Sequence, residues 1–436
     1  MGIYLNPGRA AYEEAINSDI FVDKTEMIGF LNSVVKTKQK YVSVSRPRRF
    51  GKTMAADMIC AYYDREADSG AMFEKTKLRT GPHSDQPYPW DVYLGQFDVI
   101  RIVMTDFIKE DIPVPESLSK LASRILEELN EVYPEVKYDP DDFYFSLEKY
   151  YRKTNRQFVI VIDEWDAVFR IRKEDHTGQT KYLDFLRDWM KDKTYIALAY
   201  MTGILPIKKY GEHSALNMFT EYSMESPRQL ATYTGFTEKE VKEPCTLYGM
   251  DYTDISDWYD GYVISDRIPP EKRDDYRQGI YDGHKVSIYS PLSVVESMIT
   301  GQIRNYWNKT ETYEALAEYI RKDYDGLKEA VAFLMDGGRL KTDTSSYQND
   351  MTTFHSRDDV LALLIHLGYL GYDDETSEVF IPNREIMDEF RTSTRSEEWK
   401  DPFESFEISR NLLKATWDRD ADKVAGPAGS AHRVKI

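Results

Sequence analysis

Hydrophobic and polar positions alternate at 41–45, where Val42 and Val44 interleave with Ser43 and Ser45, and this rhythm of two predicts a strand. From residue 54 the rhythm changes. Met54, Ala55, Met58, Ile59 and Tyr62 recur at steps of three and four and predict one buried face of a helix. A helix over 26–35 precedes the strand, behind the run Phe21-Val22-Asp23-Lys24-Thr25. Residues 65–97, rich in Gly, Pro, Asp and His, read as an irregular excursion. A second strand is predicted over 99–104, ending at Thr105 and Asp106. A crossover helix follows over 115–132, with Leu118, Leu121, Ile125 and Leu129 on one stripe, and another helix over 143–151. Five consecutive apolar residues at 158–162 close on Asp163 and Glu164, the pattern of a central parallel strand buried on both faces. A helix over 182–191 and a strand over 195–201, closing on Thr202 and Gly203, complete the series. Strands separated by helices imply an α/β parallel sheet.

The junction between the first strand and its helix, Arg46-Pro47-Arg48-Arg49-Phe50-Gly51-Lys52-Thr53, carries the chemistry. A P-loop wraps backbone N–H groups around phosphate, sends its Lys to the β- and γ-phosphates and places its Ser or Thr on Mg²⁺. Gly51, Lys52 and Thr53 match that pattern, whereas Arg46 occupies the position of the first Gly. The nucleotide-binding candidates are Arg46, Arg48, Arg49, Phe50, Gly51, Lys52, Thr53 and Met54, with the Lys52 side chain expected in solvent when the site is empty. Parallel strands deliver their carboxyl ends to one edge, so Asp163 and Glu164 should meet this loop. Thr53 and Asp163 are the candidate Mg²⁺ ligands, and Glu164 the candidate for polarising the attacking water. Thr202, at the tip of the fourth strand, is a candidate for sensing the water or γ-phosphate; a Thr before Gly is equally ordinary turn chemistry. Phe21 and Val22 are read as core in preference to a base pocket. Arg228 is read as a surface ion-pair residue in preference to a phosphate sensor.

Beyond residue 225 the composition shifts. Ser226-Pro227-Arg228 breaks the chain, and Thr237 with Glu240 forms a capping box for a helix reaching about Tyr248. Two short strands, near 258–262 and 288–291, bracket a polar loop at 265–287. Helices are predicted over 291–300, 313–322 and 324–335. This stretch reads as a mainly helical lid. Residues 358–390 give a helix stopped by Gly368, then a hairpin of 369–372 with 379–381, a winged-helix-like order. Its acidic residues, Asp358, Asp359, Asp373, Asp374, Glu375 and Glu378, favour a protein partner over a nucleic-acid backbone. The expected domains are 1–225, 226–345 and 346–424, with a disordered tail over 425–436.

Length and charge narrow these readings. A chain of 436 residues is long enough for two or three domains with their own cores. With 57 basic and 75 acidic residues its formal charge is −18, which argues against broad attraction to nucleic acid. Cys60 and Cys245 are too few for a disulfide framework, and the seven histidines are scattered, so a reducing, cytoplasmic setting without a metal cluster is expected. No stretch approaches the roughly 20 apolar residues of a membrane span.

The run FVDKT, the loop RPRRFGKT, the strand VIDEWD, then MTGILPI, ALNMFTEYSM, TGFTEKEV and WYDGY resemble, in that order, the bacterial AAA-ATPase-like family. The resemblance extends over about residues 3–420. It implies a P-loop NTPase with an additional strand between the two nucleotide-binding strands, a catalytic Glu, ATP and Mg²⁺, and an Arg as the usual occupant of position 46. Members often carry a C-terminal PD-(D/E)xK-type nuclease. Residues 391–436 offer no strand-borne acid with an E-x-K, so no nuclease activity is expected, and a truncated or frameshifted C-terminus is. Two functions remain open: an ATPase moving its lid and C-terminal region within an oligomer or partner complex, or an ATP-binding switch with negligible turnover.

Overall fold

The computed structural model describes residues 2–81, 89–207, 216–266, 268, 270–278, 285–307, 316, 318–320, 324–395 and 399. A five-stranded sheet is its centre: β1 (Tyr41–Ser45), β2 (Asp98–Val103), β3 (Phe158–Asp163), β4 (Ile196–Gly203) and β5 (Thr220–Tyr222), in the order β2-β3-β4-β1-β5. Every pairing is parallel. Strand β4 lies between β1 and β3, so the expected additional strand is present, and in register Thr202 has Val44 on one side and Asp163 on the other.

The apolar runs decide this topology because each side of each strand has something to bury. Phe158, Ile160 and Ile162 of β3 join one core, while Val159 and Val161 join the other with Val42, Val44 and Val99. Strands buried on both faces leave solvent access only at their ends. The helices Val114–Val132, Phe143–Thr154 and His176–Met190 contribute to the first core, and Glu26–Val34 with Lys52–Tyr63 to the second.

Two elements differ from expectation in extent. The helix His176–Met190 begins six residues before 182, because Asp175 caps it by accepting the Gly178 N–H at 2.9 Å, a local bond that a polar stretch conceals. Strand β5 has three residues and no apolar run, and it exists by pairing along β1. The excursion after residue 65 holds two short helices, Gly70–Phe73 and Lys77–Thr80.

Past residue 225 the structure is mainly helical, as expected, and its helices surround a small sheet. A three-stranded antiparallel sheet is built from β6 (Phe236–Thr237), β7 (Tyr262–Ser265) and β8 (Lys285–Tyr289), in the order β6-β8-β7. The helices Glu238–Tyr248, Tyr252–Tyr259 and Pro291–Thr300 pack with it around Tyr259, Tyr289 and Val294. The two expected strands exist, but Trp258 and Tyr259 close a helix and β7 starts at Tyr262. The expected helix over 324–335 is the helix Leu327–Met335 behind a 3-10 turn kinked at Asp325. The helix expected over 313–322 lies largely outside the described residues, and the tail over 425–436 wholly so.

Helix Arg357–Leu367 carries no polar face after its first turn: residues 359–367 are all buried. A helix that is apolar all round belongs inside a structure. It ends at Gly368, in the left-handed region at φ 88°, followed by the hairpin of β10 (Gly371–Asp373) and β11 (Glu378–Phe380), with β9 (Leu340–Lys341) on β11. Gly368 also sits against the loop that follows β1. Its carbonyl accepts the Tyr262 hydroxyl at 2.5 Å, and a Cβ there would lie 2.8 Å from Cβ of Pro47 and 3.0 Å from the Trp307 ring. Gly368→Ala would combine left-handed strain with overpacking, and we expect it to lower the free energy of unfolding by about 2–4 kcal/mol. A wild-type midpoint in urea denaturation would refute the packing described.

Candidate functional site

Strand β1 leads into the loop and the loop into helix Lys52–Tyr63, as the change of rhythm predicts. The left-handed turns fall at Arg49 (φ 67°) and at Gly51 (φ 82°), the N-cap residue. Nothing lies within 4 Å of a Cβ built on Gly51, so its dihedral, and not its space, is what calls for glycine.

Arg46 needs no glycine because it prolongs β1, its N–H donating to the Gly203 carbonyl at 3.1 Å. Its side chain is buried and does not line the cavity described below. One guanidinium nitrogen donates to the carbonyls of Ser45 at 2.8 Å and Tyr222 at 2.9 Å, and another approaches that of Leu230 at 3.4 Å. Burial pushes its pKa down to about 10. Arg46 therefore ties β1 to β5 and to the segment after β5.

Lys52 differs from expectation. It is buried, and its Nζ donates to the Pro47 carbonyl of its own loop at 2.7 Å. The loop folds over the ammonium and offers it an acceptor. Burial pulls its pKa down to about 8, against the opposing fields of Asp163 and Asp166. Next to it the Thr53 hydroxyl donates to Asp163 Oδ2 at 2.8 Å, joining the helix after β1 to the tip of β3 across the intervening β4. Asp163 Oδ1 accepts the Glu164 N–H at 2.9 Å. Burial raises the pKa of Asp163, opposed by the Thr53 bond and by Lys52.

Glu164 is in the left-handed region at φ 52°, uncommon for a residue with a side chain, and its carboxylate is 40% exposed. Two partners went unread in the sequence. Asp166, fully buried, accepts the N–H groups of Ile204 and Leu205 at 3.1 and 3.0 Å and so fixes the chain leaving β4. Arg170 lies 3.3 Å from Asp166 through Nε and 3.3 Å from Glu164 through Nη2. The readable signal was the i, i+4 spacing of Asp166 and Arg170 at the start of the helix after β3.

Lys52, Thr53, Asp163, Glu164 and Arg170 line a cavity of about 1070 Å³ together with Arg48, Arg49, Phe50, Gly51 and Met54. Thr202 is buried beside it and is not in its wall, which is formed there by Gly203 and Ile204. Arg228 is exposed, stays outside the cavity, and has its Nε 3.3 Å from the Ser226 hydroxyl. Phe21 and Val22, read from the sequence as core, line the cavity, as do Phe236, Leu292 and Val295. The cavity is thus charged at the loop and apolar where the N-terminal segment meets the second sheet. Lys24 bridges those two bodies, its Nζ donating to the Thr232 carbonyl at 2.6 Å and to Glu240 Oε2 at 2.5 Å. Glu240 also accepts the Thr237 N–H at 2.8 Å, the return half of the expected capping box.

Residues 8–211 match the model of the AAA-ATPase-like family, whose description is "Predicted AAA-ATPase". A protein of Azotobacter chroococcum mcd 1, described as an uncharacterized protein in the vnfD 5' region, is 21% identical over 309 residues. That alignment covers 69% of this chain and 52% of the relative, so the chain spans about half the length of that curated relative. Among solved structures, the Aeropyrum pernix ORC2 protein in ADPNP–ADP complexes is 11% identical, over 90% of this chain and 98% of that one, at a TM-score of 0.32. The ORC1 protein of the same organism, in complex with DNA, is 12% identical, over 93% and 99%, at 0.30. Both likenesses fall below the level from which a shared fold follows, and the fold rests on the strand order and loop above.

The buried Arg46 generates a stability prediction. Arg46→Ala would strand buried carbonyls and should cost about 2–4 kcal/mol. Arg46→Lys should recover little of it, since a point ammonium cannot span carbonyls on two segments as the guanidinium does. Wild-type stability of the Lys variant, measured in denaturant, would show that charge alone matters at this position.

Proposed function

We propose that this chain, whose residues 8–211 belong to the AAA-ATPase-like family, binds ATP with Mg²⁺ in the cavity and hydrolyses it, coupling occupancy to the second sheet and the C-terminal helices. The observation that carries the reading is the 2.8 Å bond from Thr53 to Asp163 beneath the Gly51 turn. It joins a phosphate loop to an acid strand across an intervening strand, at the mouth of a cavity with an apolar end suited to a base.

The residues fit the ion. Mg²⁺ is held by one or two carboxylates with waters and substrate phosphates, so a Thr hydroxyl and a single buried Asp suffice. Thr53 and Asp163 would hold it, and the ion would supply charge against the phosphates. Among the described residues there is no cluster of three or more His, Cys, Asp or Glu fit for another metal.

Lys52 exchanges the Pro47 carbonyl for phosphate oxygens, a charge-assisted partner in place of a neutral one. Gly51 and the first turn of helix Lys52–Tyr63 present backbone N–H groups to the same oxygens. Phe21 and Val22 on one side, with Phe236, Leu292 and Val295 on the other, exclude water from the base. Glu164, on the exposed side of Asp163, takes a proton from the attacking water. Thr202 acts through its neighbours in the sheet, since its side chain is outside the cavity wall.

Coupling is supported by the double lining of the cavity and by Lys24, whose partners Thr232 and Glu240 lie over 200 residues away. Closing on a nucleotide would load these contacts. A division into 1–225, 226–345 and 346–424 and a protein partner or homo-oligomer belong to the same proposal. The alternative, an ATP-binding switch without turnover, is favoured by the ion pair that holds Glu164 to Arg170.

Two outcomes are expected. Lys52→Ala abolishes ATP binding in calorimetry, and Glu164→Gln binds ATP but releases no phosphate; wild-type turnover in Glu164→Gln would remove that residue from the chemistry, and no phosphate release from wild type would leave the switch. ATP affinity also depends on pH. Lys52 is charged below about 8 in the empty protein, and above that value the site must take up a proton to hold phosphate. Affinity should be level below pH 8 and fall by about tenfold per unit above it. A flat binding profile through pH 9.5 would contradict this.

A further inference from the structure

Arg170 is a guanidinium in the charged end of the cavity that two carboxylates already hold from two directions. It rests on the nucleotide reading above to say what the guanidinium is for. Its side chain is 12% exposed, with Nε on the fully buried Asp166 and Nη2 on the half-open Glu164, 3.3 Å from each. These two pairs are unequal. Asp166 also holds the N–H groups of Ile204 and Leu205, so that end is clamped to the frame of the sheet. Glu164 stands on a strained backbone with its carboxylate 40% exposed, and an ion pair in that setting is weak and exchangeable.

We propose that Arg170 is an intrinsic reader of the terminal phosphate: Asp166 aims it into the cavity, Glu164 occupies its free end while the site is empty, and a triphosphate displaces Glu164 from it. Three features of the wall support this. Arg170 shares the cavity with Lys52 and Thr53, and it lies within electrostatic reach of the Lys52 ammonium. Arg49, by contrast, is an exposed loop residue, and Arg228 lies outside the wall. A planar guanidinium fixed through one edge presents its remaining N–H groups preorganised, which suits phosphate oxygens and avoids ordering a long side chain on binding. The same exchange releases the Glu164 carboxylate only when a third phosphate is present.

If Arg170 served only to neutralise Glu164 or to brace Asp166, a neutral residue at 164 would make its charge dispensable for ligand binding. The experiment therefore compares Glu164→Gln with Glu164→Gln/Arg170→Ala in the full chain, titrating ADP and a non-hydrolysable ATP analogue, each with Mg²⁺. We expect the analogue to bind about 10- to 100-fold more weakly in the double variant, the weight of one charge-assisted hydrogen bond, and ADP to bind alike in both. ADP binding doubles as the check that the site is folded. Should the Ala variant bind neither nucleotide, Arg170→Gln in the same background retains a donor for Asp166 and should show the same selective loss. Equal shifts for both nucleotides, or none, in a variant that binds ADP overturn the role of Arg170 alone. Failure of Glu164→Gln itself to bind either nucleotide overturns the nucleotide reading and this inference with it.

Discussion

A sheet buried on both faces can meet solvent only at the ends of its strands, and this constraint organises the molecule. Along β1 and β3 every side chain is buried and, apart from the small hydroxyls of Ser43 and Ser45, apolar up to the strand ends, so the charged groups of Asp163 and of the loop after β1 gather at one edge. Burial there carries an electrostatic cost that the site balances internally. Asp163 has the Thr53 hydroxyl, Lys52 has the Pro47 carbonyl, and Arg170 has two carboxylates. Each partner is weaker than the charge it serves, except within the Arg170 pairs. A polyanion with a divalent cation can replace the weak partners without disturbing the strands.

The sequence made the strands and the charged end of the site legible because both depend on local pattern. Unbroken apolar runs mark parallel strands, and Gly51-Lys52-Thr53 needs only its neighbours to be read. The orientation of side chains was less accessible. Arg46 looked like one more cation in a basic loop, yet its guanidinium turns to carbonyls 176 and 184 residues away. Lys52 was expected in water, and the loop closes on it. The apolar end was least legible of all: Phe21 comes to line one cavity with Phe236 and Leu292 only once two separate sheets have been built, and two apolar residues before a helix carry no mark of that. Strand β5 failed for a related reason, since pairing along β1 creates it.

The far side of the loop is as constrained as its front. Phe50 packs edge-on to Tyr262 of β7, with ring centroids 5.4 Å apart, and its carbonyl accepts the Gly235 N–H at 3.0 Å. Pro47 meets Gly368, whose carbonyl takes the Tyr262 hydroxyl. The loop after β1 is therefore one wall of a packed interior that includes the buried residues 359–367 of the helix Arg357–Leu367. Interiors of this density transmit displacement because they have no voids to absorb it. The Pro47 carbonyl accepts Lys52, while the Pro47 ring and the Trp307 ring both close on the space where a side chain at Gly368 would lie. A loop with no spare volume at Gly368 on one side and a neutral acceptor for a buried ammonium on the other can pass a change at Lys52 into the packing of the helix that ends at that glycine.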